Sequence, residues 1–350
     1  MGVKSMELNK RKLRILQAII DDYIVSGEPV GSRTIAKKYD MGISSATIRN
    51  EMADLEEMGY LEQPHTSAGR IPSDKGYRLY VDRLMKIKKL NVAEAKYIKD
   101  LYAKKTNQLE QVIIQTSKLL SSLTNYTAVV LGPKMDRVLI KHIQIVPIDK
   151  RCALLILITN TGITKDAVIS VPEGIDEDYL YRISNMLNHL FRDKSIEDIK
   201  LEPLLNIQRD MTLNREFFNS IIDALTTSID VEEASEVYLG GAANIFNYPE
   251  YHDIIKAKEF FDLLEQKEFL YKLLVRSEDS GVSVTIGQEN QYKELQEYSI
   301  VTATYSAGGR TLGTLSIIGP TRMEYSKAIS VMDFMGKTLS EYLTQLFTEG

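Results

Sequence analysis

Several residue types and segments that would assign the chain to a particular class are missing or scarce. Its 350 residues include one cysteine, no tryptophan and four histidines. A lone cysteine cannot build the disulfide framework of a small secreted protein. The longest apolar run covers only residues 153–158, whereas a membrane-spanning helix needs about 20 apolar residues. No secretory signal peptide precedes Met6, so we expect a cytoplasmic protein without a membrane partner.

The motifs of enzymes and metal sites are also missing. Neither a GxxxxGK[ST] phosphate-binding loop nor a GxGxxG dinucleotide fingerprint occurs in the chain. None of the histidines stands at the spacing of a two-histidine metal site or beside the cysteine; they are His65, His142, His189 and His252. Cys152 opens an apolar segment, where a free cysteine is more often an inert core residue than a nucleophile. We expect no enzymatic activity, no metal and no cofactor.

What the chain does contain is an uneven distribution of charge. Hydrophobic residues make up 44% and charged residues 26%, which is ordinary for a globular protein of two or three domains. Residues 1–90 hold 16 Lys and Arg against 12 Asp and Glu, a net charge of +4, and the other 260 residues carry −9. A basic segment joined to an acidic body favours a nucleic-acid partner for the first 90 residues.

The basic segment has the patterning of three helices followed by a hairpin. Apolar residues recur at three- and four-residue steps over 13–23, and serine caps with further helical patterning predict helices over 32–39 and 44–59. A short stretch punctuated by proline and glycine follows over 60–73. This order is typical of a winged helix that binds DNA. Winged helices also serve as protein-interaction modules, and the positive charge favours DNA between the two.

The third helix has a face suited to reading bases. Its apolar stripe, formed by Ile48, Met52 and Leu55, leaves Arg49 and Asn50 on or beside the opposite face. Arginine can bond guanine bidentately and asparagine can bond adenine. Three hydroxyl side chains at the start of the helix are candidate phosphate ligands: Ser44, Ser45 and Thr47.

The stretch that follows the third helix is the candidate wing. A glycine-hinged loop that ends in arginine fits a narrow minor groove or an adjacent phosphate. Two further cations on the next predicted helix could anchor the DNA backbone. The candidate DNA-binding residues of this region are His65, Thr66, Ser67, Gly69, Arg70, Lys75 and Arg78.

The acidic remainder alternates between strand-like and helical segments. One long amphipathic helix is predicted over 98–123, and strands are predicted over 138–146, 153–159 and 163–171. Helical patterns then cover 179–190, 196–207, 217–225, 260–264 and 269–274. Three strands, at 282–286, 299–305 and 311–318, precede a closing helix over 329–346. Strands, helices and strands again indicate an α+β body in which one sheet domain is interrupted by a helical insertion.

Four motifs together resemble one protein family. GSRTIA at 31–36, SSATIRNEM at 44–52, LEQPHTSAGR at 61–70 and IIGPTRMEY at 317–325 are similar to the bacterial heat-inducible transcription repressors of the HrcA family. The resemblance implies a repressor of chaperone operons that binds an inverted-repeat operator, CIRCE, and that the chaperonin GroEL keeps active. It also implies a bacterial cytoplasmic protein, associated with the nucleoid when it is bound to the operator.

The resemblance further implies a domain plan. The fold class is α+β and multidomain, with an N-terminal winged helix-turn-helix and a GAF-like α/β sheet domain that carries an inserted dimerisation domain. We place the winged-helix domain at 1–90, the GAF-like domain at 91–171 and 236–350, and the inserted dimerising domain at 172–235. A homodimer is expected on physical grounds as well, because two winged helices related by a twofold axis match an inverted repeat.

Within this plan we assign roles to the DNA-binding residues. Arg49 and Asn50 specify sequence, while Arg70, Lys75 and Arg78 mainly anchor the DNA backbone. Two alternatives from other classes stay open. One is a small-molecule-sensing winged-helix regulator with a ligand in its GAF-like domain, and the other is a cytosolic enzyme with an accessory DNA-binding head.

Overall fold

The chain folds as an α+β protein whose N-terminal part is built from helices and one short hairpin. The computed structural model describes residues 8–65, 68–103, 109–132, 139–159, 164–194, 215–228, 237–275 and 281–349. Its first elements are α1 Lys10–Ser26, α2 Ser32–Lys38, α3 Ser45–Glu57, β1 Leu61–Glu62, β2 Ile71–Pro72 and α4 Asp74–Leu79, which continues as a π-helical turn over Tyr80–Leu84. We call residues 8–84 the head. Its helices and hairpin follow the order that the sequence predicts.

Local side-chain chemistry explains where helices of the head begin. The side chains of Asn9, Ser44 and Ser73 accept hydrogen bonds from backbone N–H groups in the first turns of α1, α3 and α4. These bonds satisfy donors that a helix otherwise leaves unpaired. The helices then share one core, which includes Ile15, Ile19, Ile35, Ile48 and Leu55. This packing fixes α3 against α1 and α2 and leaves its opposite face outside.

The remaining elements form two separate sheets with their helices. In chain order they are α5 Val92–Ala103, α6 Leu109–Thr124, β3 Thr127–Leu131, β4 Ile140–Pro147, β5 Cys152–Thr159, β6 Thr164–Ser170, α7 Glu177–Phe191, α8 Arg215–Ser228, β7 Val237–Gly240, α9 Ile254–Glu265, α10 Lys267–Val275, β8 Val282–Ile286, β9 Tyr298–Ala307, β10 Arg310–Pro320 and α11 Tyr325–Glu349. The first sheet has the order β7-β3-β10-β9-β8, and every neighbouring pair is antiparallel. We call this sheet and the helices packed on it the sheet domain.

Both faces of the first sheet are covered by helices. Ala128 and Val130 of β3 face a core shared with α5, α6 and α11, whereas Val129 and Leu131 face a second core with α9 and α10. Side chains alternate along a strand, so a strand with both faces covered buries all of them. Within the described ranges, no helix combines the length and the apolar composition that crossing a membrane requires.

The second sheet, β4-β5-β6, is antiparallel and, among the strands that the structure describes, pairs only within itself. Its inner face packs on α7 and α8 through a core of its own, which includes Ile143, Leu155, Leu157, Leu187 and Phe217. We call residues 139–228 the insert unit. The sequence predicts one sheet domain that includes these three strands, and the structure instead gives them a sheet of their own. Hydrophobic patterning identifies a strand, but it does not identify the strand with which it pairs.

The helix predicted over 98–123 is also not a single helix. The Tyr102 hydroxyl on α5 lies 2.9 Å from Oγ1 of Thr116 on α6. Fourteen residues along one straight helix would separate these positions by about 21 Å, so α5 and α6 must fold back on each other. Both helices pack on α11, and the apolar stripe therefore covers the sheet domain. The helix predicted over 196–207 lies outside the described residues.

Candidate DNA interface

The face of α3 that the sequence predicts to read bases is open. Ile48 and Leu55 are fully buried, while Arg49 and Asn50 are exposed on the other side. Among the described residues, neither Arg49 nor Asn50 has a protein partner for its side chain. The small side chains of Ala46 and Ala53 are exposed beside them. An arginine and an asparagine flanked by small residues form a surface that can approach base edges closely.

The hydroxyls at the start of α3 already have local roles. Oγ of Ser44 accepts a hydrogen bond from the backbone N–H of Thr47 at 3.1 Å and lies 3.0 Å from Oγ1 of Thr47. Ser44 therefore caps α3, and its hydroxyl is exposed at the positive end of the helix dipole. Ser45 is half-buried in the first turn. The arrangement is compatible with a phosphate at this end of the helix.

The wing loop is held at its base by a close backbone approach. Thr66 and Ser67 lie outside the described residues, and His65 is exposed. Arg70 and Val30 pair through their backbones, with both N–H to carbonyl distances at 2.9 Å. A Cβ on Gly69 would lie 2.4 Å from the carbonyl oxygen of Val30. Glycine is therefore required at 69 by the pairing of its neighbour, whichever contact the loop tip makes.

Arg70 is engaged by the protein itself. Its Nε and Nη2 both lie 2.7 Å from Oε2 of Glu56 near the end of α3. The ion pair ties the base of this loop to α3. A guanidinium neutralised by a neighbouring carboxylate attracts a phosphate less than a free one. The pair with Glu56 gives Arg70 a positioning role, and the predicted contact with the DNA backbone stays a prediction.

Lys75 also supports α3. Its Nζ donates a hydrogen bond to the carbonyl oxygen of Met58 at 2.9 Å and lies 4.5 Å from the centre of the Tyr60 ring. Met58 is the C-terminal cap of α3, where a cation interacts favourably with the helix dipole. The lysine is exposed, so one face of it is open to solvent while the bond to Met58 holds the end of α3.

Arg78 faces the sheet domain. Its guanidinium donates to Glu289 at 2.7 and 2.5 Å and to the carbonyl oxygen of Val284 at 2.6 Å. Asp82 provides a further bond at 3.1 Å. Arg78 is therefore bonded within the protein in this structure, and its predicted role as a DNA anchor stays a prediction. Helical periodicity shows that Arg78 lies on the surface of α4, but the sequence contains no signal for the unit that packs there.

Two cations that are not among the predicted DNA contacts lie on a helix next to α3. Arg33 and Lys37 are exposed on α2, which packs against α3. By contrast, Lys12 is buried, and its Nζ lies 2.9 Å from carboxylates of Glu51 and Asp54. The hydrogen bonds to Asp54 and Glu51 raise the pKa of Lys12. The exposed positive charge of the head thus comes from α2 as well as from α3.

A cleft of about 980 Å³ separates the head from the sheet domain. It is bordered by the C-terminal half of α1, by residues 85–88 and by the start of α11. Charged side chains of both signs line it: Asp21, Lys86, Lys88, Glu324 and Lys327. Within the ranges described, no cluster of three or more His, Cys, Asp or Glu residues could hold a metal ion.

Comparisons with known proteins agree on one family. The model of the HrcA protein C-terminal domain matches residues 110–329. The heat-inducible transcription repressor HrcA of Alkaliphilus metalliredigens (strain QYMF) is 47% identical over 338 residues, which cover 97% of this chain and 98% of that protein. The repressor of the same name from Ruminiclostridium cellulolyticum is 45% identical and covers 99% of this chain and 100% of its own. A crystal structure of a protein described only as hypothetical has a TM-score of 0.70 at 25% identity, over 97% of this chain and 100% of that one.

Proposed function

The chain belongs to the HrcA family of heat-inducible transcription repressors, and from this premise we propose that it represses chaperone operons by binding the inverted-repeat CIRCE operator as a homodimer. The open face of α3 carries this proposal, because it presents Arg49 and Asn50 to solvent on a helix that is otherwise packed into the head. We assign the head as a winged helix, the sheet domain as GAF-like and the insert unit as the dimerising domain.

The experiment that tests operator binding is a fluorescence-anisotropy titration with a labelled inverted repeat. We expect specific binding at least about 10³-fold tighter than binding to a scrambled duplex of the same length and composition, at one fixed salt concentration. Equal affinity for the two duplexes would reject operator recognition.

The outer face of the insert unit supports the homodimer. Leu154, Ile156 and Ile158 alternate with the buried residues of β5 and are only half-buried. Val146 and Val168, their neighbours on β4 and β6, are 37% and 66% exposed. A self-complementary apolar patch suits a twofold axis, and a twofold axis would present two α3 helices to an inverted repeat.

We also propose that the chaperonin GroEL keeps the repressor active. A family of heat-inducible repressors requires a component that reports heat stress, and a chaperonin occupied by unfolded proteins would leave the repressor without assistance. The test is an operator gel shift with and without GroEL and ATP, before and after mild heating. We expect GroEL with ATP to increase the bound fraction after heating. No effect of GroEL under any condition would reject this part and leave DNA binding intact.

A second candidate function, regulation by a small molecule, is favoured by the cleft beside α1. A ligand there would contact the head and the sheet domain together and could shift operator affinity only by binding their arrangements unequally. A thermal-shift screen tests it: a compound that raises the melting temperature must also change operator affinity. Compounds that stabilise the protein without changing operator affinity would reject this candidate.

A further inference from the structure

Among the residues that the structure describes, hydrogen bonds join the head to the sheet domain at two places. At the first, Arg78 of the head bonds Glu289 and the carbonyl oxygen of Val284. Beside it, Oδ2 of Asp74 accepts a hydrogen bond from the backbone N–H of Gln288 at 2.8 Å. We call this group the α4 clasp. Its two sides are more than 200 residues apart in the chain, so it is a contact between units and not part of the local fold of the head.

The second group surrounds Arg322, whose side chain is only 8% exposed. Its guanidinium pairs with Glu250 through two hydrogen bonds, of which Nη2 to Oε2 measures 2.9 Å. It also lies 5.3 Å from the centre of the Tyr248 ring. Nη1 donates to the carbonyl oxygen of Ile24 in α1 at 3.2 Å. We call this group the α1 clasp, because Arg322, which is oriented by Glu250, bonds the end of α1.

Further contacts between the two clasps keep the surfaces close. The rings of Tyr77 and Tyr325 lie 5.9 Å apart between the head and α11. At the α4 clasp, Gly287 has φ +49°, and a Cβ there would lie 2.2 Å from Oδ2 of Asp74. A Cβ at 287 would therefore displace the Asp74 carboxylate from its bond to Gln288. A single contact would allow the head to pivot, whereas two separated clasps with packed rings between them define one orientation.

We infer that Arg78 and Arg322 are positioning residues for operator binding: they hold the head in one orientation and so set the separation and angle of the two reading helices. The inference rests on the proposed homodimer and inverted repeat. In DNA, each added base pair moves a half-site by about 3.4 Å and rotates it by about 35°. A dimer with fixed heads therefore accepts one spacer length between half-sites, and a dimer with released heads accepts several.

The test compares operators that differ only in spacer length. Full-length protein is titrated with the natural operator, with spacers one and two base pairs shorter or longer, and with a single half-site. The variant is Glu289→Gln with Glu250→Gln, which weakens both clasps by removing the carboxylate charge that each arginine faces and touches neither arginine nor any candidate DNA contact. The matched control is Glu265→Gln, the same chemical change at an exposed position of α9.

The clasps set the separation of the two heads. The expected result is therefore a change in the ratio of the affinity for the natural spacer to the affinity for each altered spacer. The control should prefer the natural spacer as strongly as the parent protein, while the double variant should lose that preference by about fivefold or more. Affinity for the single half-site should be the same for the control and for the double variant. A double variant that keeps the full preference for the natural spacer would overturn this inference and leave the proposed function intact. Failure of the parent protein to bind an operator of any spacer length would overturn the proposed function as well.

A second pair of variants keeps the inference testable if the double variant does not fold. Gly287→Ala places a methyl group against Asp74, and Gly308→Ala is its control, because Gly308 has a similar φ of +57° with nothing within 4 Å of its Cβ position. We expect Gly287→Ala to reduce the spacer preference and Gly308→Ala to retain it. Equal behaviour of these two variants would also contradict the inference.

Discussion

Three arginines of the head show how one residue type takes different roles through its partners. Arg49 is exposed without a protein partner among the described residues, Arg70 is bonded to Glu56, and Arg78 is bonded to Glu289. The sequence predicts that all three contact DNA, since position and charge are all that it displays. Of these three arginines, Arg49 is the one whose guanidinium is not already bonded to a carboxylate among the described residues. It is therefore the one that is free to bond a base.

The first prediction concerns Arg49. Arg49→Ala should weaken operator binding by about 1–3 kcal/mol while changing random-duplex binding much less, because a bidentate contact to a base discriminates by that amount. Anisotropy titrations on both duplexes measure it. Arg192→Ala, which removes the same charge from the insert unit, is the control. A loss of equal size on operator and random DNA would mean that Arg49 contacts only the DNA backbone.

The second prediction concerns Arg70. Arg70→Ala should lower the free energy of unfolding by about 1 kcal/mol, because it removes a half-buried ion pair. It should leave the slope of log affinity against log salt nearly unchanged, whereas loss of a phosphate contact lowers that slope by about 0.9. Denaturant unfolding and salt titrations check the two parts. A drop of about 0.9 in slope would show that Arg70 contacts a phosphate of the DNA backbone.

The third prediction follows from the pKa of Glu289. Burial opposes its charge, but hydrogen bonds from Arg78 and from the N–H of Ile286 outweigh burial and lower this pKa. A carboxyl of this kind contributes stability that is fully present above its unfolded pKa, near 4.5, and is lost as pH falls through the folded value. Burial raises the pKa of nearby Asp74, so the comparison must be with Glu289→Gln, which keeps Asp74.

The measurement is the melting temperature of both proteins at pH 6 and about pH 3. The parent protein should be more stable than Glu289→Gln at the higher pH, and the difference should shrink at the lower one. A difference that is the same at both pH values would show that the Arg78 pair does not contribute through the charge of Glu289.

At the scale of elements, local patterning predicts much of the structure. The strands expected over 299–305 and 311–318 appear as Tyr298–Ala307 and Arg310–Pro320, because alternating and buried strands leave a clear apolar pattern. Pairing between distant elements leaves no such pattern. The membership of β4–β6 in a separate sheet and the return of α6 along α5 therefore required the structure.

The fourth prediction tests the outer face of the insert unit. Leu154→Lys should convert a dimer into a monomer, because it places a charge between Val146 and Val168, where burial without a partner is costly. Light scattering after gel filtration measures the mass. Asn185→Lys, which adds the same charge on the exposed side of α7, is the control. A dimer that persists in Leu154→Lys would show that the twofold interface lies on another surface.

At the scale of the whole molecule, the basic N-terminal segment and the acidic remainder differ in charge and therefore in how they interact with DNA. The segment 1–90 carries +4 and the remainder −9, so the acidic remainder repels DNA while the basic segment attracts it. The sequence alone predicts this division and the reading face on α3. It could not predict the clasps, because Arg78 with Glu289 and Arg322 with Ile24 join residues that are 211 and 298 positions apart.

The central claim is that two copies of α3 read two halves of one inverted repeat. The most direct measurement is the affinity of the full-length protein for the operator and for the same duplex with one half-site reversed, which turns the inverted repeat into a direct repeat with identical half-sites. The account predicts one dimer per operator and binding at least about 10²-fold weaker to the direct repeat. Equal affinity for the two duplexes would contradict it.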